Sequence, residues 1–310
     1  MTIGIATYGR SAGLAALEAL QAVEKVGFGA LHGYVSLVAI GLDGQVHRAE
    51  TQRGGTSGLG GATGLPKAIL TARMAGLISS GPDRPEPLAQ FTPALPGVGL
   101  VTGHRFPSMR GPSGQQLNDM VLSRMAGGQT AKDAVDGVVH DHPWADAGLI
   151  ALAVDGDVYG ADTEYVCSMP QRGSLVLRSD DGTAAAAVLH NAILPWRALA
   201  PLAAEVALGR LAPPPGPDGV LVVEAGLPVR SGATNAWEID DDGEVVGVVL
   251  TRAQPGAGRL SFGLGPFAPV MFGTELRGRA LQEPFLVAHQ GRLETIDGSI
   301  SAAIPVSWST

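Results

Sequence analysis

The sequence predicts a mixed α/β (α+β) fold in which two sheets stack between helices, followed by a β-rich C-terminal extension. Three observations lead there. Two β-prone runs flank Asp43-Gly44 and two more flank Asp155-Gly156, and Asp-Gly between such runs is a strong hairpin signal. Helix-patterned segments lie before, between and after these hairpins. Beyond the proline-rich run Ala212–Asp218 the pattern is nearly all strand.

Thr2–Thr7 reads as a short strand. Ser11 can cap a helix reaching about Lys25, in which Leu14, Leu17, Leu20, Val23 and Val26 recur every three residues as an apolar stripe. The first hairpin spans Gly33–Leu42 and Gln45–Gln52. A Gly-rich loop, Gly54–Gly64, precedes a helix expected over Leu65–Leu77, with Pro66 in its first turn. Residues 80–96 carry five prolines and read as an extended connector. Val98–Thr102 is a short buried strand. Helices are expected at about Ser113–Met125, stopped by Gly127-Gly128, and at Ala131–His140. The second hairpin covers Ala147–Val154 and Asp157–Ala161. Strands near 174–178 and 184–190 lead into a helix at Trp196–Leu211. The proline run 212–218 is a linker, because proline fixes φ and cannot donate to a ladder. Strands are expected at 219–225, 243–251, 259–265, 284–290 and 293–308. The organisation is a core over 1–211, the linker, and a β-rich region over 219–310.

Composition narrows the function classes. Apolar residues make up 45% of the 310 and charged residues 16%, enough for a globular core and too little polarity for a disordered chain. With 21 Lys+Arg against 29 Asp+Glu the net charge is −8, and no basic run exists, so a nucleic-acid partner is not expected. The single cysteine, Cys167, allows neither an internal disulfide nor a Cys-based zinc site. No signal-like N-terminus and no apolar run of spanning length is seen, so a cytoplasmic protein without membrane association is expected. A homo-oligomer is expected on general grounds.

Several stretches resemble a known family. They are Gly97-Val-Gly-Leu-Val-Thr-Gly103, Gly127-Gly128, Gln129-Thr-Ala-Lys-Asp-Ala-Val135 and Ala147-Gly-Leu-Ile-Ala-Leu-Ala-Val-Asp-Gly156. Together they resemble the second half of the isoaspartyl peptidase/asparaginase family, and also a related uncharacterised bacterial Ntn-hydrolase-like family. Val35–Gly44 through Thr51-Gln-Arg-Gly-Gly55 resembles the first hairpin of that fold. The resemblance covers about residues 10–165. It implies a four-layer αββα Ntn-hydrolase-like sandwich and cleavage of a small amide, imide or isoaspartyl-like C–N bond. In the family the nucleophile is an N-terminal Thr, Ser or Cys whose own α-amine is the base. Here that position falls at about Tyr34, and a phenol cannot replace a small hydroxyl. Two alternatives stay open. Thr2 would carry a free amine if Met1 were removed, although a helix and not a hairpin comes after its strand. An internal hydroxyl could act with a side-chain base, and Thr102 is the leading choice. The resemblance makes Thr102-Gly103 the floor of the substrate site.

The polar residues at strand ends supply the remaining candidates. Thr102, His104 and His190 are the catalytic candidates, with an imidazole as base near neutral pH. Arg53, Arg105 or Arg110 could hold a carboxylate by bidentate hydrogen bonds. Thr51, Gly54 and Gly55 could turn backbone N–H groups toward an oxyanion, and Gly103 and Asn191 complete the substrate-binding set. His140-Asp141-His142 lacks a third ligand at a known spacing, so no metal is expected, and no cofactor is implied. Asp162 and Glu164 form an i, i+2 carboxylate pair that would share one face if extended. The expected partner is a small-molecule substrate, carboxylate-bearing in the reading that uses the arginines. The reading is an amidohydrolase lacking the usual nucleophile position. The alternative is a non-catalytic small-molecule-binding or assembly protein on the same fold.

Overall fold

A computed structural model describes residues 1–213, 216–251 and 258–309. The chain divides into two compact units, Met1–Pro213 and Pro214–Thr310. Part of the proline-rich linker expected at 212–218 lies outside the described residues.

The first unit begins with β1 (Thr2–Tyr8) and α1 (Ala12–Val26), then the hairpin β2 (Val35–Ile40) and β3 (Val46–Thr51). Three one-turn helices come next, α2 (Gly55–Gly58), α3 (Gly61–Gly64) and α4 (Lys67–Leu70), and then β4 (Met74–Ser80). A 3-10 turn at Leu88–Phe91 leads to β5 (Ala94–Leu95) and β6 (Gly99–Arg105). Helices α5 (Leu117–Ala126) and α6 (Ala131–Asp141) precede the hairpin β7 (Ala147–Ala153) and β8 (Val158–Asp162). The unit closes with α7 (Glu164–Cys167), β9 (Arg172–Arg178), β10 (Ala185–Asn191) and α8 (Trp196–Leu211).

Two antiparallel sheets result, ordered β3-β2-β4-β1-β10-β9 and β5-β6-β7-β8. Strand alternation sorts the side chains of the larger sheet. Ile3, Ile5, Leu37, Leu77 and Val188 face α1 and α8 and pack with Leu17, Leu20 and Ala203. Fully burying each large aliphatic side chain is worth about 1.5–3 kcal/mol. From the opposite face Ala6, Val38 and Leu189 meet Leu100, Ile150 and Leu152 of the smaller sheet. The far face of that sheet, with Val101, Leu149 and Ala151, is covered by α5 and α6 through Leu117, Val121, Val135 and Val138. Across this unit the order is helices, sheet, sheet, helices.

Two local expectations are corrected. The helix expected over Leu65–Leu77 is a single turn, and Met74–Ser80 is instead a central strand between β2 and β1. All seven of its residues are buried, so its apolar run is continuous and carries no period that separates strand from helix. Ser11 does not cap α1 with its side chain; it sits at φ 61°, in the left-handed region. The first turn is tied instead by Ala12 N–H to Ala72 O and by Thr7 Oγ1 donating to Ala12 O, both at 2.8 Å.

The second unit is β structure. Its strands are β11 (Gly219–Glu224), β12 (Val229–Ser231), β13 (Ala236–Ile239), β14 (Val245–Leu250), β15 (Arg259–Phe262), β16 (Pro269–Phe272), β17 (Glu275–Ala280), β18 (Leu286–His289), β19 (Arg292–Ile296) and β20 (Ser301–Trp308). They form a sheet ordered β11-β20-β17-β16-β13-β14-β12 and a three-stranded sheet β15-β18-β19 around Trp237, Val248, Val270, Leu286 and Ile304. The single strand expected over 293–308 is two strands, broken where Asp297 (φ 49°) and Gly298 (φ 78°) turn the chain. Asp240–Glu244 is the tight turn between β13 and β14, closed by Asp240 Oδ1 accepting from Glu244 N–H at 2.9 Å.

Candidate functional site

One end of the space between the two sheets of the first unit is polar. Thr2 opens β1, Asn191 ends β10 directly opposite it, His104 sits one residue from the end of β6, and Asp162 ends β8. Their positions keep the register of Ala6, Leu189, Leu100 and Val158 by even steps, so all four project between the sheets. The apolar layer gives way to hydrogen-bonding groups at this end because every strand involved closes on a polar residue.

Glycines make the space. A Cβ on Gly4 would collide with the Gly103 carbonyl, so β1 and β6 lie backbone to backbone. A Cβ on Gly148 would strike the His104 ring and the Asp162 carboxylate. Gly103 is thus a close-packing position of the scaffold.

The hydrogen bonds are directional. Thr2 Oγ1 donates to Asn191 Oδ1 at 2.8 Å and accepts the Arg105 backbone N–H at 2.6 Å. Thr2 N–H also donates to Asn191 Oδ1, at 3.2 Å. Thr2 is only 4% exposed and His104 is 0% exposed. His104 Nε2 lies 2.6 Å from Asp162 Oδ1, and its Nδ1 lies 3.4 Å from Asn191 Oδ1. Arg172 Nη1 adds a contact at 3.4 Å to Asp162 Oδ2.

Arg105 joins this cluster to a neighbouring cavity. Its φ of 63° is left-handed, uncommon for a residue with a side chain, and its backbone N–H meets Thr2 there. Its guanidinium makes a two-bond pair with Asp146, through Nε to Oδ1 and through Nη2 to Oδ2 at 2.7 Å. Hydrogen bonding to Asp146 raises the Arg105 pKa further. Arg105 and Asp146 line a cavity of about 460 Å³ together with Tyr34, Arg84, Phe91 and Phe106. Burial lowers the pKa of the Met1 amine below its ordinary value, and the positive fields of Arg105 and then Arg84 lower it more, against Asp146. The Met1 carbonyl accepts from Ser80 Oγ, which itself accepts from Arg84 Nη2, while Thr2 belongs to the buried cluster.

The structure brings together His104, Arg105 and Asn191, selected from sequence, with Thr2, the alternative nucleophile. Thr102 is fully buried, and its hydroxyl donates to Leu77 O at 2.8 Å, which bridges the sheets. His190 is fully buried on the face of β10 opposite Asn191, toward α8, and neither ring nitrogen has a hydrogen-bond partner. The Trp196 carbonyl favours its charged form without making a well-formed bond, while burial and then His104 push its pKa down to about 4.

The Gly-rich loop is occupied by the protein itself. Gly54 N–H donates to His32 O and Gly55 N–H to Gly33 O, both at 2.9 Å, and Thr56 N–H reaches the buried Glu24. No oxyanion cradle is left at Gly54 and Gly55. Thr51 Oγ1 bonds Arg53 O at 2.7 Å, and Arg53 forms an exposed pair with Asp83. Arg110 is spent on Gly114 O. Asp162 and Glu164 do not share a strand face, since Glu164 opens α7. In the His140-Asp141-His142 run, Asp141 pairs with Arg124 and His142 faces Val138 O at 2.9 Å. Among the described residues no group of three or more His, Cys, Asp or Glu is placed to hold a metal ion, and no helix is long and apolar enough to cross a membrane.

Sequence reasoning did not select Arg84, and it noted Asp162 only as the partner of Glu164. The available signal for Asp162 was its place at a strand end, shared with His104 and Asn191.

A search of curated proteins finds no match. Residues 226–301 match a family model described as a domain of unknown function, DUF7259. Residues 2–220, most of the chain and essentially the whole of the first unit, match a second model, and the chain belongs to that family, described as a domain of unknown function, DUF6963.

Proposed function

We propose that the first unit is an Ntn-hydrolase-like αββα sandwich that cleaves a small amide, with Thr2 as the nucleophile once the Met1–Thr2 bond is cut. The reading rests on one observation: the Thr2 hydroxyl sits between Asn191 Oδ1 and the N–H of Arg105, a residue that lines a cavity. The helix–sheet–sheet–helix order supports it, as does the sequence resemblance. It moves the nucleophile from the Tyr34 position to the start of β1.

Cutting the bond turns the Thr2 nitrogen, which donates to Asn191 Oδ1 at 3.2 Å, into an α-amine. A terminal amine titrates near 8 in water, and burial such as that of Thr2, 4% exposed, disfavours the charged form. Thr2 Oγ1 then attacks the amide carbon and its proton passes to the amine. The tetrahedral adduct collapses, the C–N bond breaks, and the proton leaves on the departing nitrogen. Water attacks the resulting Thr2 ester, giving its proton to the same amine. The ester C–O bond then breaks, the Thr2 hydroxyl is regenerated and the acid departs. His104 and Asp162 act as positioning residues that hold Asn191.

A non-catalytic binding protein is the second reading. It is favoured by the near-complete burial of Thr2 while Met1 is attached. Intact mass and N-terminal sequencing, paired with amide turnover, separate the two. A chain beginning at Thr2 whose turnover is lost in Thr2→Val supports catalysis. Retained Met1 with turnover untouched by Thr2→Val sinks it.

A further inference from the structure

We infer that the cavity lined by Arg84 and Arg105 takes a small monocarboxylate with an apolar body, such as an N-acylated apolar amino acid, and rejects the free zwitterionic amino acid. Binding rests on the cavity alone, and cleavage of the bound molecule rests on the amide-cleaving reading.

The cavity, about 460 Å³, falls within the range of small-molecule sites. Tyr34 and Phe91 pack with ring centroids 5.4 Å apart, and Phe106 and Met109 extend the apolar wall. Burial holds the Tyr34 phenol well above its usual pKa, so this wall stays neutral.

The charge is uneven. Arg105 is already neutralised by its two-bond pair with Asp146. Arg84 is not: among the described residues no carboxylate lies within ion-pair distance of it. Arg84 is nevertheless held firmly. Its Nη2 donates to Ser80 Oγ at 2.6 Å, its backbone N–H to Gln52 Oε1 at 3.0 Å, and its guanidinium carbon lies 5.7 Å from the Tyr34 ring centroid. Its Nε is buried and has no partner. A buried N–H left unbonded is costly, and a guanidinium edge is shaped to give a carboxylate two parallel bonds.

Arg84 and Arg105 against Asp146 leave one net positive charge, which one carboxylate balances. An ammonium finds no free acceptor of charge in the cavity lining, since Asp146 is engaged. The same two guanidiniums already act against the Met1 ammonium. A free amino acid would bring its ammonium into that field.

The test is calorimetric titration of the purified full chain with N-acetyl-L-phenylalanine, its neutral carboxamide and L-phenylalanine. The acid is expected to bind at least about tenfold more tightly than either of the others. Arg84→Met should bring the acid down to the level of the amide, and Arg84→Lys should recover part of the difference. Equal binding of acid and amide, equal binding of phenylalanine, no binding of any of the three, or no effect of Arg84→Met on a folded chain overturns the inference. The wild-type comparison decides even if the variant does not fold. Released acetate is read separately. Binding of the acid without acetate release leaves this inference standing and counts against the catalytic reading. Release from acid and amide at equal rates, with equal binding, does the reverse.

Discussion

Arg105 donates its backbone N–H to Thr2 Oγ1 across 2.6 Å, linking the last residue of β6 to the first of β1 and so one sheet to the other. The bond fixes the hydroxyl's lone pair toward Arg105 and its proton toward Asn191 Oδ1. Asn191 is buried and the Arg105 bond is part-buried, so the hydroxyl's removal has a structural cost as well as a chemical one.

Thr2→Val keeps the branched shape and deletes the hydroxyl. It leaves the Arg105 N–H facing a methyl group, and an unsatisfied buried donor costs about 1–3 kcal/mol. Urea denaturation should show that loss, and amide turnover should vanish. Thr2→Ser should retain turnover and most of the stability. Equal stability of the Val variant and the wild type would show that water reaches the Arg105 amide.

The His104–Asp162 contact is the most deeply buried charge-bearing pair of the cluster, at 2.6 Å with side chains 0% and 6% exposed. Removing one member of such a pair typically costs about 3–5 kcal/mol, because the other is left uncompensated. Asp162→Asn should approach that loss. The double variant Asp162→Asn with His104→Gln should lose clearly less than the sum of the singles, since the uncompensated group is gone. Additive losses in a double-mutant cycle would mean that the two residues do not act on each other.

Much of the fold is legible in the sequence, and the reason is local. The Asp43-Gly44 and Asp155-Gly156 hairpins and the helix Ala131–Asp141 are written in turn chemistry and period. The central strand β4 was not, because a strand buried on both faces has no alternation to read. At the site, His104, Arg105 and Asn191 stand out as polar residues closing apolar strands. Thr2 is legible as an alternative nucleophile at a strand start; its meeting with Asn191 depends on the pairing of β1 with β10, 189 residues apart. Arg84 lies in a proline-rich stretch without period, so nothing local marks it as a fixed, unpaired cation. Gly4 and Gly148 carry a signal left unread, and Gly103, expected to bind substrate, instead packs the sheets, since a glycine inside an apolar strand often marks a close backbone approach.

His190 sets a pH dependence. Its folded pKa is pushed to about 4 against an ordinary 6.5, so the unfolded chain binds the proton more readily. Stability is therefore full above about pH 6.5 and falls as pH drops toward 4. From a shift of this size the loss is on the order of 3 kcal/mol. His190→Leu removes two unpartnered nitrogens and should flatten that part of the stability–pH curve without loss at pH 7. An unchanged slope between pH 6.5 and 4 in the variant would assign the dependence to other groups.

Gly4 tests the sheet contact on which the site depends. A methyl group there meets the Gly103 carbonyl, a backbone atom that cannot rotate away, so the sheets must part or the strand must shift. Overpacking of this kind costs about 1–3 kcal/mol. Gly4→Ala should therefore lower the melting temperature. It should also loosen the Arg105–Thr2 bond, seen as faster exchange of the Arg105 amide proton. Gly209→Ala, in α8 with nothing within 4 Å of the new methyl, is the matched control and should stabilise by about 0.5–1 kcal/mol. Were Gly4→Ala as stable as that control, the close approach of β1 to β6 would not be part of the folded protein, and the Thr2–Arg105 bond would go with it.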